Sequence, residues 1–94
     1  MDWHEDEEVR QNVLHLFCHR CMGIESTCGK YTTTVHEILP RSRGKIAYEF
    51  HNRVPLCLEC HSKVHEMGIS DEVIKQLQER RKAFLITIGR PDAD

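Results

Sequence analysis

The side chains able to do chemistry in this chain of 94 residues are seven histidines and five cysteines, and they are not evenly spread. Cys18-His19-Arg20-Cys21 precedes a central stretch, and Cys57-Leu58-Glu59-Cys60-His61 follows it. The stretch between, Val35-His36-Glu37-Ile38-Leu39-Pro40-Arg41-Ser42-Arg43-Gly44, sets an imidazole and a carboxylate beside a basic turn. Two Cys-x-x-Cys pairs give four thiolates, two from each flank, which is the number and pairing that a closed tetrahedral zinc site takes. The expectation is one zinc ion on Cys18, Cys21, Cys57 and Cys60 that cross-links the flanks, with Cys28 left as an inert small hydrophobe. His61 and His65 are four apart and share one face of any helix begun at the second pair. A neutral imidazole near pH 7 can accept a proton, and a neighbouring histidine or carboxylate can bind a divalent cation.

Composition limits what can position these groups. With 39% hydrophobic and 30% charged residues, the chain reads as one soluble domain over residues 1–94 with a core small enough to benefit from a metal cross-link. No apolar run approaches membrane-span length and no charged start leads into an apolar stretch, so neither a span nor a secretion signal is expected. Cysteines in Cys-x-x-Cys pairs favour metal over disulfide in a reducing compartment, which points to the cytoplasm. The net charge of -2 argues against a nucleic-acid partner until its distribution is considered. Asp2, Glu5, Asp6, Glu7 and Glu8 carry five of the acids, and without them ten acids face thirteen Lys and Arg. Arg41, Arg43 and Lys45 cluster beside the central pair with Arg53 a little further on, a modest patch for phosphate contact.

Residues 5–17 read as an acidic-ended helix, because Val9, Val13, Leu14, Leu16 and Phe17 recur near helical spacing. Gly23 supplies a turn after the first cysteine pair, and the β-branched run Thr32-Thr33-Thr34-Val35 predicts a strand over 31–38 that carries His36. Pro40 to Lys45 reads as a loop, and residues 46–50 as a short strand or single turn. A strand near Asn52-Arg53-Val54-Pro55-Leu56 pairs with the one carrying His36, and a helix from 57 to 66 stops at Gly68. Ser70 caps a last helix over 70–86 whose Arg80-Arg81-Lys82 reads as a charged final turn, with a DNA-backbone contact as the second reading. Residues 89–94 form a loose tail. His4, His15 and His19 are read as lacking partners and His51 as incidental, and Trp3, Tyr31, Tyr48 and Phe50 read as packing residues.

The ordered set of Cys-x-x-Cys, His36-Glu37-Ile38-Leu39-Pro40, Asn52 and Cys57-x-x-Cys60-His61-x-x-x-His65 resembles the HNH endonuclease family over residues 18–65, about half the chain. The resemblance implies an α+β fold, a small ββα-metal module with a structural zinc and flanking N- and C-terminal helices. It implies metal-dependent hydrolysis of DNA phosphodiester bonds, with His61 and His65 as ligands of a catalytic Mg2+, Mn2+, Ni2+ or Zn2+ and Asn52 orienting the loop by hydrogen bonding. DNA is then the partner, met at Arg41, Arg43, Lys45 and Arg53, either by this chain alone or with a larger protein partner.

The chain departs from the family at one point. Many members carry His-His or Asp-His before the aliphatic-x-Pro segment, and the second residue is the general base, whereas this sequence has His36-Glu37. Aligned on Ile38 and Pro40, His36 becomes a metal ligand and Glu37 takes the base position. Shifted by one, His36 is the base and Glu37 a supporting acid. Imidazole is the better-matched acceptor near neutral pH, so His36 is preferred as base with Glu37 the alternative. The rival function is a non-catalytic zinc-binding adaptor for DNA or protein that keeps the same scaffold.

Overall fold

The computed structural model describes residues 3–93, so Asp2 of the acidic start and Asp94 of the tail lie outside it. The chain is α+β: helix α1 (Trp3–Leu16), strands β1 (Val35–Glu37) and β2 (Arg53–Pro55), and helices α2 (Leu58–Met67) and α3 (Asp71–Thr87). Two stretches of 3-10 turn, Arg41–Tyr48 and Phe50–Asn52, stand between the strands. No helix among the described residues is long and apolar enough to cross a membrane.

Helix α1 places Glu5 and Asp6 in its first turn, where the exposed backbone N–H groups favour negative charge. Its apolar residues Val13 and Leu14 are buried, as is Phe17 just past its end. The Phe17 ring stacks on Phe84 of α3, with centroids 5.6 Å apart and planes 2° from parallel. Arg10 donates from α1 to the Thr33 carbonyl, and Asp6 pairs with Arg53 of β2, so α1 is fastened to both strand segments.

The strands run antiparallel with His36 opposite Val54 and Glu37 opposite Arg53. β1 is shorter than the stretch 31–38 predicted from its β-branched residues. Thr32 turns inward instead, donating its hydroxyl to the Leu56 carbonyl at 3.1 Å and accepting from the Thr34 N–H at 3.0 Å. Tyr31 forms an isolated bridge with Arg20. Threonine's local side-chain hydrogen bonding has outcompeted its ladder pairing.

Between the strands, the expected Pro40 to Lys45 loop is wound into 3-10 turns that extend to Tyr48 and break at Gly44, where φ is 81°. Asn52 holds this winding. Its Oδ1 accepts from the Leu39 N–H at 2.8 Å, and its Nδ2 donates to the carbonyls of Leu39 (3.0 Å) and Ala47 (2.9 Å). Asn52 is only 7% exposed, so these three bonds have little competition from water.

Helix α2 starts from Cys57 as its N-cap and stops at Gly68, whose N–H donates to the carbonyls of Val64 and His65. Ser70 caps α3 by accepting from the Val73 N–H at 3.2 Å. The apolar residues Ile74, Leu77, Phe84 and Leu85 of α3 pack inward. Arg80 and Arg81 depart from the expected charged final turn. Arg81 is 3% exposed, with its guanidinium over the rings of Phe17 and Phe50, while Arg80 donates to the Met22 carbonyl and the Thr27 hydroxyl. Both arginines tie α3 to the rest of the fold; Lys82 alone of the three is exposed.

Replacing Asn52 by Ala removes three hydrogen bonds and strands buried backbone groups of Leu39 and Ala47, at a cost of about 2–4 kcal/mol. Urea unfolding of zinc-loaded protein measures this, and a midpoint equal to wild type contradicts it.

Candidate metal centre

Four thiols gather where the segment after α1 meets the start of α2. The Sγ atoms of Cys21, Cys28, Cys57 and Cys60 all lie within 4.8 Å of one another. A tetrahedral Zn2+ with Zn–S bonds of about 2.3 Å separates its sulfurs by about 3.8 Å, so small side-chain adjustments let this set close on the ion. The donor chemistry fits as well, since four soft thiolates form a common structural zinc set. These residues form a possible metal site compatible with structural zinc.

The fourth thiol of the cluster is Cys28, not Cys18. Immediately after α1, Cys18 and His19 both adopt left-handed backbone at φ 55°, which leaves Cys18 exposed and turns it away from the cluster. The chain then folds back on itself, with Cys21 N–H donating to the Lys30 carbonyl at 2.8 Å and Gly29 N–H to the Cys21 carbonyl at 3.0 Å. That reversal returns Cys28 to Cys21. It depends on Gly23, where φ is +79° and a Cβ would stand 1.8 Å from the Ser26 carbonyl oxygen. The sequence signal was available in Gly23 and Gly29 flanking Cys28, but the familiar Cys18-x-x-Cys21 spacing outweighed it.

Burial pushes the Cys21 thiol up, and burial together with the neighbouring Cys21 and Cys57 thiols pushes Cys60 up strongly. At Cys57 burial acts in the same direction but is outweighed by hydrogen bonds from the Cys60 backbone and the surrounding thiols, which hold this group below its usual value. Thiolates crowded in one place need compensating charge, and a divalent cation supplies it.

The second cluster follows directly. His61 is next to Cys60, and α2 directs His61 and His65 toward His36 on β1. Ring centroids are 5.1 Å apart for His36 and His61, 4.5 Å for His61 and His65, and 6.3 Å for His36 and His65. Among the described residues only the cysteines gather three or more donor atoms within 4.8 Å, so the imidazoles share a cleft at wider spacing. Burial, followed by the charges of His61 and His65, lowers His36 to about 4. Burial and His65 also lower His61. His36 is therefore neutral at physiological pH, with a ring lone pair open to a cation.

Glu37 lines the same cleft, which encloses about 650 Å³. Its Oε1 accepts from Arg41 Nε at 2.9 Å, while its buried Oε2 has no hydrogen-bond partner. Arg41 is exposed and lies over the Tyr48 ring, Arg43 stands 3.8 Å from Asp71, and Lys45 is exposed. Arg53 corrects the expected phosphate patch. It is 3% exposed and spent on Asp6, so it cannot reach a nucleic acid.

Of the remaining candidates, His15 stands edge-on to His19, which stacks on Tyr31 at 5.4 Å, and His4 meets Trp3. Trp3 and Tyr31 are largely exposed rather than packed, whereas Tyr48 and Phe50 are half-buried beneath arginines. No protein-family model, curated protein or solved structure matches the chain.

The ligand set is tested by exchanging one cysteine at a time. Cys28→Ser is expected to weaken zinc binding by more than roughly 100-fold, because a lost ligand costs more than a lost supporting contact, while Cys18→Ser retains one zinc per chain. Competition with a chromogenic chelator reads both; zinc loss in Cys18→Ser with retention in Cys28→Ser reverses the assignment.

Proposed function

We propose that this chain is a metal-dependent endonuclease of HNH type, in which β1, β2 and α2 form the ββα-metal unit and DNA phosphodiester bonds are hydrolysed. The observation that carries this reading is the convergence of His36 from β1 with His61 and His65 from α2, beside a four-thiol cluster that fixes the start of α2. Zinc at the thiols would be structural. A second divalent cation, Mg2+, Mn2+, Ni2+ or Zn2+, would neutralise charge on the non-bridging and leaving oxygens of the phosphodiester.

His36, His61 and His65 are the groups suited to hold that cation. The His36 ring lies 5.1 Å from His61 and 6.3 Å from His65 between centroids, and burial keeps it neutral, which sets it among groups that can donate a lone pair to one cation. This favours the alignment in which His36 is a ligand over its assignment as base. Glu37 then stands as the proton acceptor for the attacking water, with Oε1 held by Arg41 at the cleft and Oε2 buried without a hydrogen-bond partner. Asn52 acts through the loop it fixes, keeping the segment from Leu39 to Ala47 beside Glu37, and is a positioning residue. Arg41, Arg43 and Lys45 are the exposed cations of the basic turn beside the cleft, and with so few there, a larger protein partner is a natural source of added DNA affinity.

Incubating zinc-loaded protein with plasmid and with single-stranded DNA in the presence of each divalent cation, with and without chelator, tests the reading. Nicking is expected, with a fall of about 10²–10⁴-fold in Glu37→Gln, the usual worth of a general base. His36→Ala is expected to abolish nicking and also the binding of a second cation, while Glu37→Gln keeps that cation. A wild-type protein that cuts neither plasmid nor single-stranded DNA with any of these metals leaves the non-catalytic zinc-binding adaptor as the better account.

A further inference from the structure

We infer that the histidine cleft takes an unstacked nucleotide of single-stranded DNA in preference to intact duplex, an inference that rests on the endonuclease reading and names its substrate form. The two walls of the cleft differ in chemistry. One carries His36, Glu37 and Arg41, and the other is aliphatic, built from Ile69 and from Val73, Ile74 and Leu77 of α3. Ile69 is 75% exposed and Val73 half-buried, so apolar surface remains to be covered by whatever enters.

A phosphate beside the imidazoles and Arg41 leaves its own sugar and base as the apolar matter closest to that aliphatic wall. In a duplex, the base faces are already covered by stacking, and reaching the wall requires extrusion at a cost. A single strand presents its bases without that cost.

Electrostatics point the same way. Proteins that hold duplex through its backbone neutralise roughly six to ten phosphates, whereas the basic turn at this cleft offers Arg41, Arg43 and Lys45. Two of those already face acids, Glu37 at 2.9 Å and Asp71 at 3.8 Å. Arg53 is turned inward against Asp6, and Arg80 donates to Met22 and Thr27. A footprint of about three phosphates suits a short stretch of flexible strand whose base contributes apolar contact, and it falls short of compensating base extrusion from a duplex.

The test uses zinc-loaded full-length protein with Mn2+ and one labelled 20-nucleotide sequence, offered as single strand and as blunt duplex. Binding is read by fluorescence anisotropy and cleavage by gel. The single strand is expected to bind about tenfold or more tightly, with a log-affinity against log-salt slope near about −2. Ile69→Glu is expected to weaken single-strand binding about tenfold or more, with zinc content and melting temperature unchanged because the side chain is mostly in solvent. Duplex bound or cut as well as single strand overturns the inference, as does an Ile69→Glu protein that binds single strand like wild type. Preferential single-strand binding that Ile69→Glu abolishes, without cleavage under any cation, supports the inference while overturning the nuclease reading.

Discussion

Four thiols from two distant parts of the chain gather at one junction, and the rest of the structure is arranged around it. Cys21 and Cys28 belong to a glycine-dependent loop after α1, and Cys57 and Cys60 belong to the entry of α2. The apolar core is small, and two of its fully buried members, Met22 and Leu56, adjoin cysteines of this junction in the chain. A metal cross-link there would restrain the loop from 21 to 28, through Arg80 it would restrain α3, and through Cys60 it would set where His61 points. The chemistry proposed for the histidines is downstream of that restraint.

A division of labour follows along the chain. The thiol junction sets the position of α2, the short sheet sets the position of His36, and Asn52 fixes the basic turn that carries Arg41. Each uses a different force: charge compensation at crowded sulfurs, backbone pairing, and buried amide hydrogen bonds. Arginines that resemble a nucleic-acid surface in sequence serve as internal ties instead. Arg53 holds α1, and Arg80 holds the loop, which leaves the outer face near the cleft thinly charged.

What was legible in the sequence was what local chemistry determines. Ser70 as a cap, Gly68 as a stop and the helix opened by Cys57 follow from residues within a few positions of each other, and the pairing of a strand near Val54 with the one carrying His36 joins neighbouring elements of the chain. What was not legible depended on direction in space. Whether Cys18 or Cys28 completes the thiol set turns on left-handed backbone at residues 18 and 19, which neither residue type announces. Burial of Arg53 and Arg81 is decided by partners 47 residues away at Asp6 and by aromatic rings on other elements. The Thr32–Val35 run satisfied its β-branched preference only in part, because Thr32 found a closer partner in the Leu56 carbonyl.

The central claim is that one thiol junction places three imidazoles around a shared cation position. Anomalous diffraction from crystals soaked in Mn2+, recorded at the zinc and manganese edges, tests it most directly. The account predicts a zinc peak among Cys21, Cys28, Cys57 and Cys60 and a manganese peak bounded by His36, His61 and His65. Manganese absent from the three histidines, or zinc held with Cys18 in place of Cys28, would contradict it.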